Sequence, residues 1–288
     1  MGIPRRLRNQ EGTYSLVDGI PFAMPIDTRN SKALLAAFTI DADKASAYMP
    51  GPDLHPLRVW NKGLLLVTVI DYVETDIGKY IEFSIGIACT RGKKRAPRML
   101  PLLFRSHYGM GQYVMDLPVS TEISVKGGKG IWGMPKHQAS LDFIVEDDLI
   151  SSQYDLDGEL AVRIDIEPPG RKLFPVTMNS VNYCQFRGIM WKSFVHFAGK
   201  PSLAMFKGAK ATLTVGDNPR VAWMKDIGIS ETPIMTTYYP EFSGLLDDYV
   251  EAWFLRTAQK PTEPYEGLDT VADLGLSEEW PPPPNRNT

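Results

Sequence analysis

Lys79-Tyr80-Ile81-Glu82-Phe83-Ser84-Ile85-Gly86-Ile87-Ala88-Cys89-Thr90 alternates without a break. Ile81, Phe83, Ile85, Ile87 and Cys89 fall on one face, and Tyr80, Glu82, Ser84, Gly86 and Ala88 on the other. Successive side chains of an extended chain point to opposite sides, so a period of two predicts a strand with one apolar face and one mixed face. The neighbouring stretches read the same way. Residues 64–70 form an apolar run interrupted only by Thr68, which predicts a buried strand within residues 57–72. Residues 112–119, 137–145, 150–156, 159–167 and 209–215 are further strands, and Asp157-Gly158 predicts a tight hairpin. Helix signals are few. Residues 42–48 predict a short helix behind an Asp41 cap, ending before Met49-Pro50. Residues 217–225 predict another, capped by Asp217, and residues 233–254 a strand followed by a closing helix.

The punctuation agrees. The chain holds 24 Gly and 23 Pro in 288 residues, with proline above its usual share of about 5%. That excludes a long-helix or coiled-coil protein and favours many short segments joined by turns. The expected class is α+β, mainly antiparallel β. Lys and Arg number 31 against 34 Asp and Glu, a net charge of -3. Such a balance offers no nucleic-acid surface and no membrane electrostatic switch. Cys89 and Cys184 are too few for a disulfide framework and read as reduced core thiols. No apolar stretch follows the arginines of residues 1–10, and the longest apolar run, residues 63–70, is too short to span a bilayer. A cytoplasmic protein is the expectation. Residues 1–259 are expected to form one domain. From residue 260 the chain turns polar and proline-rich, closing on Pro281-Pro282-Pro283-Pro284. It reads equally as a disordered tail or as an arm laid across a neighbouring subunit, with Tyr265, Leu268, Val271, Leu274, Leu276 and Trp280 to bury.

Most site motifs are missing. Gly127-Gly128-Lys129-Gly130 does not form the Gly-x-Gly-x-x-Gly turn of a dinucleotide fold, and there is no phosphate-binding loop. His55, His107, His137 and His196 are scattered without metal-ligand spacing, so no metal and no cofactor are expected. No Gly-x-Ser-x-Gly elbow occurs. His107, Tyr108 and Tyr113 flank a strand, where they read as proton donors or, preferably, as surface or core residues. One segment stands apart: Gly130-Ile131-Trp132-Gly133-Met134-Pro135-Lys136-His137. It reads as a glycine-rich turn that delivers Lys136 to the start of a strand. An exposed strand-start cation is the ordinary reading of such a lysine. A lysine aimed into an apolar cavity instead loses hydration in its charged form, so its pKa falls and it can attack a carbonyl to form an imine.

Ile131-Trp132-Gly133-Met134-Pro135-Lys136 resembles the acetoacetate decarboxylase motif, in which a Trp-Gly-Phe-Pro-Lys-Lys type sequence presents the Schiff-base lysine. Residues 41–50 resemble the family's early helix, Tyr80-Ile81-Glu82 its strand with an active-site glutamate, and residues 209–219 and 227–240 its C-terminal segments. The likeness spans roughly residues 20–250. Acetoacetate decarboxylase is itself the standard example of a lysine activated by desolvation or a cationic neighbour. The resemblance implies a closed, cone-like β-barrel with peripheral helices, one strand face lining a cavity and the other packing outward, and assembly into homo-oligomers. It implies that Lys136 forms the imine and that Glu82 borders the substrate carboxylate and shuttles protons. Trp132, Met134, His137 and Arg29 are the expected substrate-binding residues, Arg29 standing about two positions from the family's arginine.

The departures matter too. The family's second lysine is His137 here, its upstream Arg-Glu pair is Lys129-Gly130, and its second glutamate falls near Val67 or Thr68. One imine chemistry serves several outcomes, because the protonated imine accepts negative charge from the adjacent carbon. The expected reaction is decarboxylation of a 3-oxo acid. The alternatives are an aldolase–dehydratase or hydratase acting on a 2-oxo acid such as pyruvate, and a non-catalytic barrel that binds a small ligand.

Overall fold

A computed structural model describes residues 12–256 of the chain. Residues 260–288, read above as a tail or arm, lie outside the described residues, as do residues 1–11. Seven long strands form the frame: β1 (Ile26–Asp41), β2 (Lys62–Tyr72), β3 (Tyr80–Arg91), β4 (Gly111–Val119), β5 (Val176–Phe186), β6 (Ile189–Gly199) and β7 (Pro233–Phe254). They neighbour one another in the order β7-β6-β5-β4-β3-β2-β1, and β1 pairs back onto β7, which closes the barrel. Every junction is antiparallel except β4 with β5, which is parallel. Closure removes the exposed edges that a seven-stranded open sheet would present.

The alternation of β3 divides the wall as expected. Phe83, Ile85 and Ile87 are fully buried on the outer face, where they join Leu65, Val67 and Val69 of β2. A second antiparallel sheet covers them. It contains Ile150–Leu156, Glu159–Ile166 and Ala211–Val215, and contributes Ile150, Tyr154, Val162, Ile164 and Ile166 to the same core. Tyr80, Glu82 and Ser84 face inward and line a cavity with Thr68, Ile70 and Tyr72 of β2. The largest apolar core of the described residues therefore sits outside the barrel, and the interior holds a cavity.

Local structure follows the sequence in most places. Asp41 caps Ala42–Ser46, accepting from the amides of Asp43 and Lys44 at 2.9 and 3.1 Å. Asp157 and Gly158 turn the hairpin of the second sheet with φ of 55° and 82°, the left-handed pair that this turn requires. Three expectations need correction. Residues 137–145 are not one strand. Lys136–Gln138 pairs with β4, whereas Ser140–Leu141 and Ile144–Val145 pair with Ile150–Leu156, so the chain breaks as it crosses from barrel to second sheet. Asp217 is not a helix cap. Asn218 instead accepts from Arg220 N at 3.0 Å and starts a 3-10 turn, Pro219–Val221, followed by Trp223–Asp226. Residues 233–254 contain no helix. They form the single strand β7, held by β6 on one side and β1 on the other, because closing the barrel demands pairing on both edges.

Ile85→Ala tests which face carries the core. Removing this buried side chain should cost about 2–5 kcal/mol of unfolding free energy. Ser84→Ala, one residue along and facing the cavity, should cost about 1 kcal/mol or less. Urea denaturation of the two variants measures the contrast, and equal losses would place the core on the wrong face.

Candidate active site

Lys136 owes its position to a helix that the sequence conceals. Glu122–Trp132 contains Gly127, Gly128 and Gly130, each costing about 1 kcal/mol relative to Ala in a helix interior. That cost masks the helix, and residues 127–133 read as a turn. Each glycine answers a close approach. A Cβ on Gly127 would meet the Phe22 ring at 2.8 Å, and one on Gly130 would meet Val17 at 2.5 Å. A Cβ on Gly128 would fall 2.3 Å from Lys136 Cδ. The lysine stem thus lies across bare helix backbone. Gly133 ends the helix at φ 62°, and its amide bonds the Lys129 carbonyl at 3.1 Å. Trp191 fills the space where a Cβ on Gly133 would stand. Pro135 then leads into Lys136–Gln138, paired with β4 so that Lys136 stands opposite Leu117.

Lys136 is 3% exposed. Its Nζ lies 2.7 Å from Glu82 Oε2 and donates to Ser124 Oγ at 2.9 Å. The Tyr80 ring centroid is 5.4 Å from Nζ, within cation–π reach. Tyr72 stacks on Tyr80 at 4.5 Å. Trp132 is fully buried and donates its indole N–H to the Asp247 carbonyl at 3.0 Å, which ties the helix end to β7. The Asp247 carboxylate lies 2.9 Å from His196 Nε2. The cavity in front of Lys136 measures about 200 Å³ and is walled chiefly by apolar side chains.

The electrostatics reverse one expectation. Burial pushes the Lys136 ammonium down, but the Glu82 carboxylate and Tyr80 outweigh it, and the pKa stands above that of an ordinary lysine. The unliganded amine is therefore held as an ammonium paired with a carboxylate. Burial likewise pushes the Tyr80 phenol up to about 12 against the pull of Lys136. It pushes Tyr72 well above a free tyrosine. Both phenols stay protonated at neutral pH and are available as donors. Burial also holds the Cys184 thiol up at about 12, so it is no nucleophile.

The structure brings together Lys136, Glu82, Trp132 and Met134, all lining one cavity. It does not bring His137 or Arg29 to it. Strand alternation turns His137 through the barrel wall. There its Nδ1 lies 3.4 Å from Asp116 Oδ1 and its ring centroid 6.3 Å from that of Tyr154. Burial lowers its pKa, so it is neutral at pH 7. Arg29 is exposed on β1 and donates to Asp27 at 2.7 and 2.9 Å. His107, Tyr108 and Tyr113 are also absent from the lining. Sequence reading missed Tyr72, Tyr80, Ser124 and Gly128. Tyr80 was signalled by its place two residues before Glu82 on one strand face. Ser124 and Gly128 share a helix face only once the helix is recognised, and Tyr72 is located only by its register opposite Tyr80. Among the described residues, no group of three His, Cys, Asp or Glu is placed to hold a metal ion. No helix among them is long and apolar enough to cross a membrane.

Comparison with known proteins agrees with this geometry. A family model described as acetoacetate decarboxylase matches residues 11–205, more than half of the chain. A solved acetoacetate decarboxylase from Legionella pneumophila subsp. pneumophila str. Philadelphia 1 superposes with a TM-score of 0.58 at 15% identity. That match covers 88% of this chain and 92% of the other. The enduracididine biosynthesis enzyme MppR, solved with the condensation product of pyruvate and imidazole 4-carboxaldehyde, gives 0.52 at 14% identity, over 78% and 90% of the two chains. An acetoacetate decarboxylase-like enzyme from Sphingomonas wittichii RW1 gives 0.51 at 12% identity, over 80% and 94%. At these identities the likeness is one of fold. No curated protein matches the sequence.

Two variants probe the site. Gly128→Ala should strengthen the helix by propensity while pushing the flexible Lys136 stem off its seat. Trapping of Lys136 by a carbonyl compound should slow about a hundredfold, with the thermal midpoint held or raised; trapping at the normal rate would refute the role given to Gly128. Glu82→Gln removes the carboxylate that does most to offset burial at Lys136 and leaves Tyr80 against it. The pH midpoint for acylation of Lys136 should then fall from its raised position, and a midpoint that stays put would show the pair is not coupled.

Proposed function

Because the chain belongs to the acetoacetate decarboxylase family, we propose that it is a carbon–carbon lyase in which Lys136 forms an imine with an oxo acid. The preferred reaction is decarboxylation of a 3-oxo acid. The observation that carries this reading is one buried amine, 2.7 Å from one carboxylate, deep in an apolar cavity. In water neither group would need the other. Here they share a site where a single proton decides which is reactive.

Glu82 is the base. It takes a proton from the Lys136 ammonium, leaving a free amine and a carboxylic acid. The amine nitrogen attacks the substrate ketone carbon, and the carbonyl electron pair moves to oxygen. The oxygen takes one proton from the newly bonded nitrogen to become a hydroxyl, Glu82 returns its own proton to that hydroxyl, which leaves as water, and a protonated imine remains. Its positive charge lies over the Tyr80 face and beside the restored Glu82 carboxylate, both suited to a cation. The bond to the substrate carboxylate then breaks, its electrons forming the enamine double bond as carbon dioxide leaves. The enamine carbon takes a proton, water adds to the imine, and a neutral ketone departs with Lys136 free. Tyr72 and Tyr80, as protonated phenols, supply hydrogen bonds at the oxygen and carbon that change charge.

A second reading has its own support. Glu82 is the only acid among the lining residues, and the family's second glutamate falls near Val67 or Thr68, neither of them an acid. A site this poor in acids also tolerates the carboxylate of a 2-oxo acid. Proton removal beside the imine would then give aldolase–dehydratase or hydratase chemistry, and the pyruvate-derived product bound to MppR is of that kind.

Borohydride reduction in the presence of acetoacetate or pyruvate, read by intact mass and peptide mapping, tests both. One adduct on Lys136 is expected, absent from Lys136→Ala. Carbon dioxide release with acetoacetate selects decarboxylation, and an adduct with pyruvate alone selects the second reading. An adduct with neither acid would leave a barrel that binds without reacting.

A further inference from the structure

The cavity is larger and less charged than a short oxo acid requires. Its volume of about 200 Å³ is more than ten times the roughly 10–15 Å³ that holds one water. Lys136 and Glu82 are the only charged residues among those lining it. Beyond them the walls are chiefly apolar, with Ile26, Ile70, Val114, Leu117, Phe197 and Phe242 among them, and the other polar groups are neutral hydroxyls and amides. The void also runs along β3. Ser84 lines it one inward-facing step past Glu82, and at Gly86 a Cβ would meet the Gln112 side chain at 2.9 Å. The lining part of β3, Tyr80 to Ser84, spans about 13 Å of extended chain. The group met there is neutral: Gln112 Nε2 donates to Asn182 Oδ1 at 2.8 Å, and both residues line the cavity.

Charge bookkeeping narrows the ligand further. The protonated imine is already matched by Glu82 at contact distance, so the carboxylate that is to be lost is the one unpaired charge, and its departure as carbon dioxide relieves it. A second carboxylate would sit in this apolar space without a cation, and an unpaired buried charge is strongly disfavoured. A four-carbon acid, in turn, would leave most of the cavity wall uncovered. We propose that the acid taken by this site is a monocarboxylate with an extended apolar body, several methylenes or a ring beyond the ketone, and neither a short oxo acid nor a dicarboxylate. This rests on the imine reading only for which end of the ligand reacts. The apolar walls select the body of the ligand whatever the chemistry.

Two measurements on the full-length protein decide it. Calorimetry with butyrate, hexanoate, octanoate and adipate reads the cavity without any reaction. Kd should fall about fourfold for each added methylene, and adipate should bind more weakly than hexanoate. A flat series, or adipate equal to hexanoate, would overturn the proposal. Carbon dioxide release from acetoacetate, 3-oxohexanoate, 3-oxooctanoate and 3-oxoadipate reads the same preference in kcat/KM. A rise of about fourfold per methylene is expected, with 3-oxoadipate no better than acetoacetate. Acetoacetate or 3-oxoadipate matching 3-oxooctanoate would sink the inference and leave the imine standing. Absence of any Lys136 adduct would sink the imine, and the calorimetric series would still decide the ligand class.

Discussion

The buried contact between Lys136 and Glu82 is the constraint around which the rest is arranged. Taking an ammonium and a carboxylate out of water costs several kcal/mol each, and removing one partner of such a pair costs about 3–5 kcal/mol. An isolated pair of this kind is poor evidence of stability and good evidence of use. The surrounding chain is spent on holding it. Ser124 accepts a hydrogen bond from the amine, Tyr80 offers a ring face, and Gly128 clears the path for the lysine stem. Three glycines in an 11-residue helix make little sense as helix design. They make sense as clearance for Phe22, Val17 and Lys136.

The barrel wall makes the pair possible by giving each strand two environments. Along β3 the same alternation puts Phe83 and Ile85 into the outer core and Glu82 and Ser84 into the cavity. A one-residue slip in register would exchange the two sets and bury Glu82 against the second sheet. The apolar core outside the barrel is therefore what fixes the register of the polar groups inside it. The second sheet matters to the site for this reason, although none of its strands contributes a lining residue.

Much of this was legible in the sequence because period two is a strong signal. The alternation of residues 79–90 identified the strand and its two faces, while the family resemblance pointed to a cavity on the mixed face and singled out Glu82 and Lys136. What stayed hidden depended on tertiary contact. The helix Glu122–Trp132 was masked by its glycines, whose purpose lies in residues far away in the chain. The length of β7 was hidden because its aromatic, mixed composition suits a helix equally until both barrel edges claim it. Arg29 was placed by proximity in an alignment, but β1 carries it to the exposed side beside Asp27.

His137 shows how a one-residue difference in the chain becomes a difference of compartment. It follows Lys136 directly, so a charge there seems poised to press on the lysine. Adjacent residues of a strand face opposite ways, and His137 lies across the wall with Asp116, Tyr154 and Arg220. Asp116 there accepts from the Tyr154 hydroxyl and from Arg220 Nε, each at 2.7 Å. A cation at position 137 would act through the packed wall and beside a carboxylate that already has partners, while Glu82 acts on Nζ at contact distance. Distance and direction both favour Glu82, so the replacement of a second lysine by a neutral histidine does not by itself disarm the site. The same reasoning applies to the near-neutral chain as a whole. Its 34 acidic and 31 basic residues say little about the site, because the cavity lining holds one of each, Glu82 and Lys136.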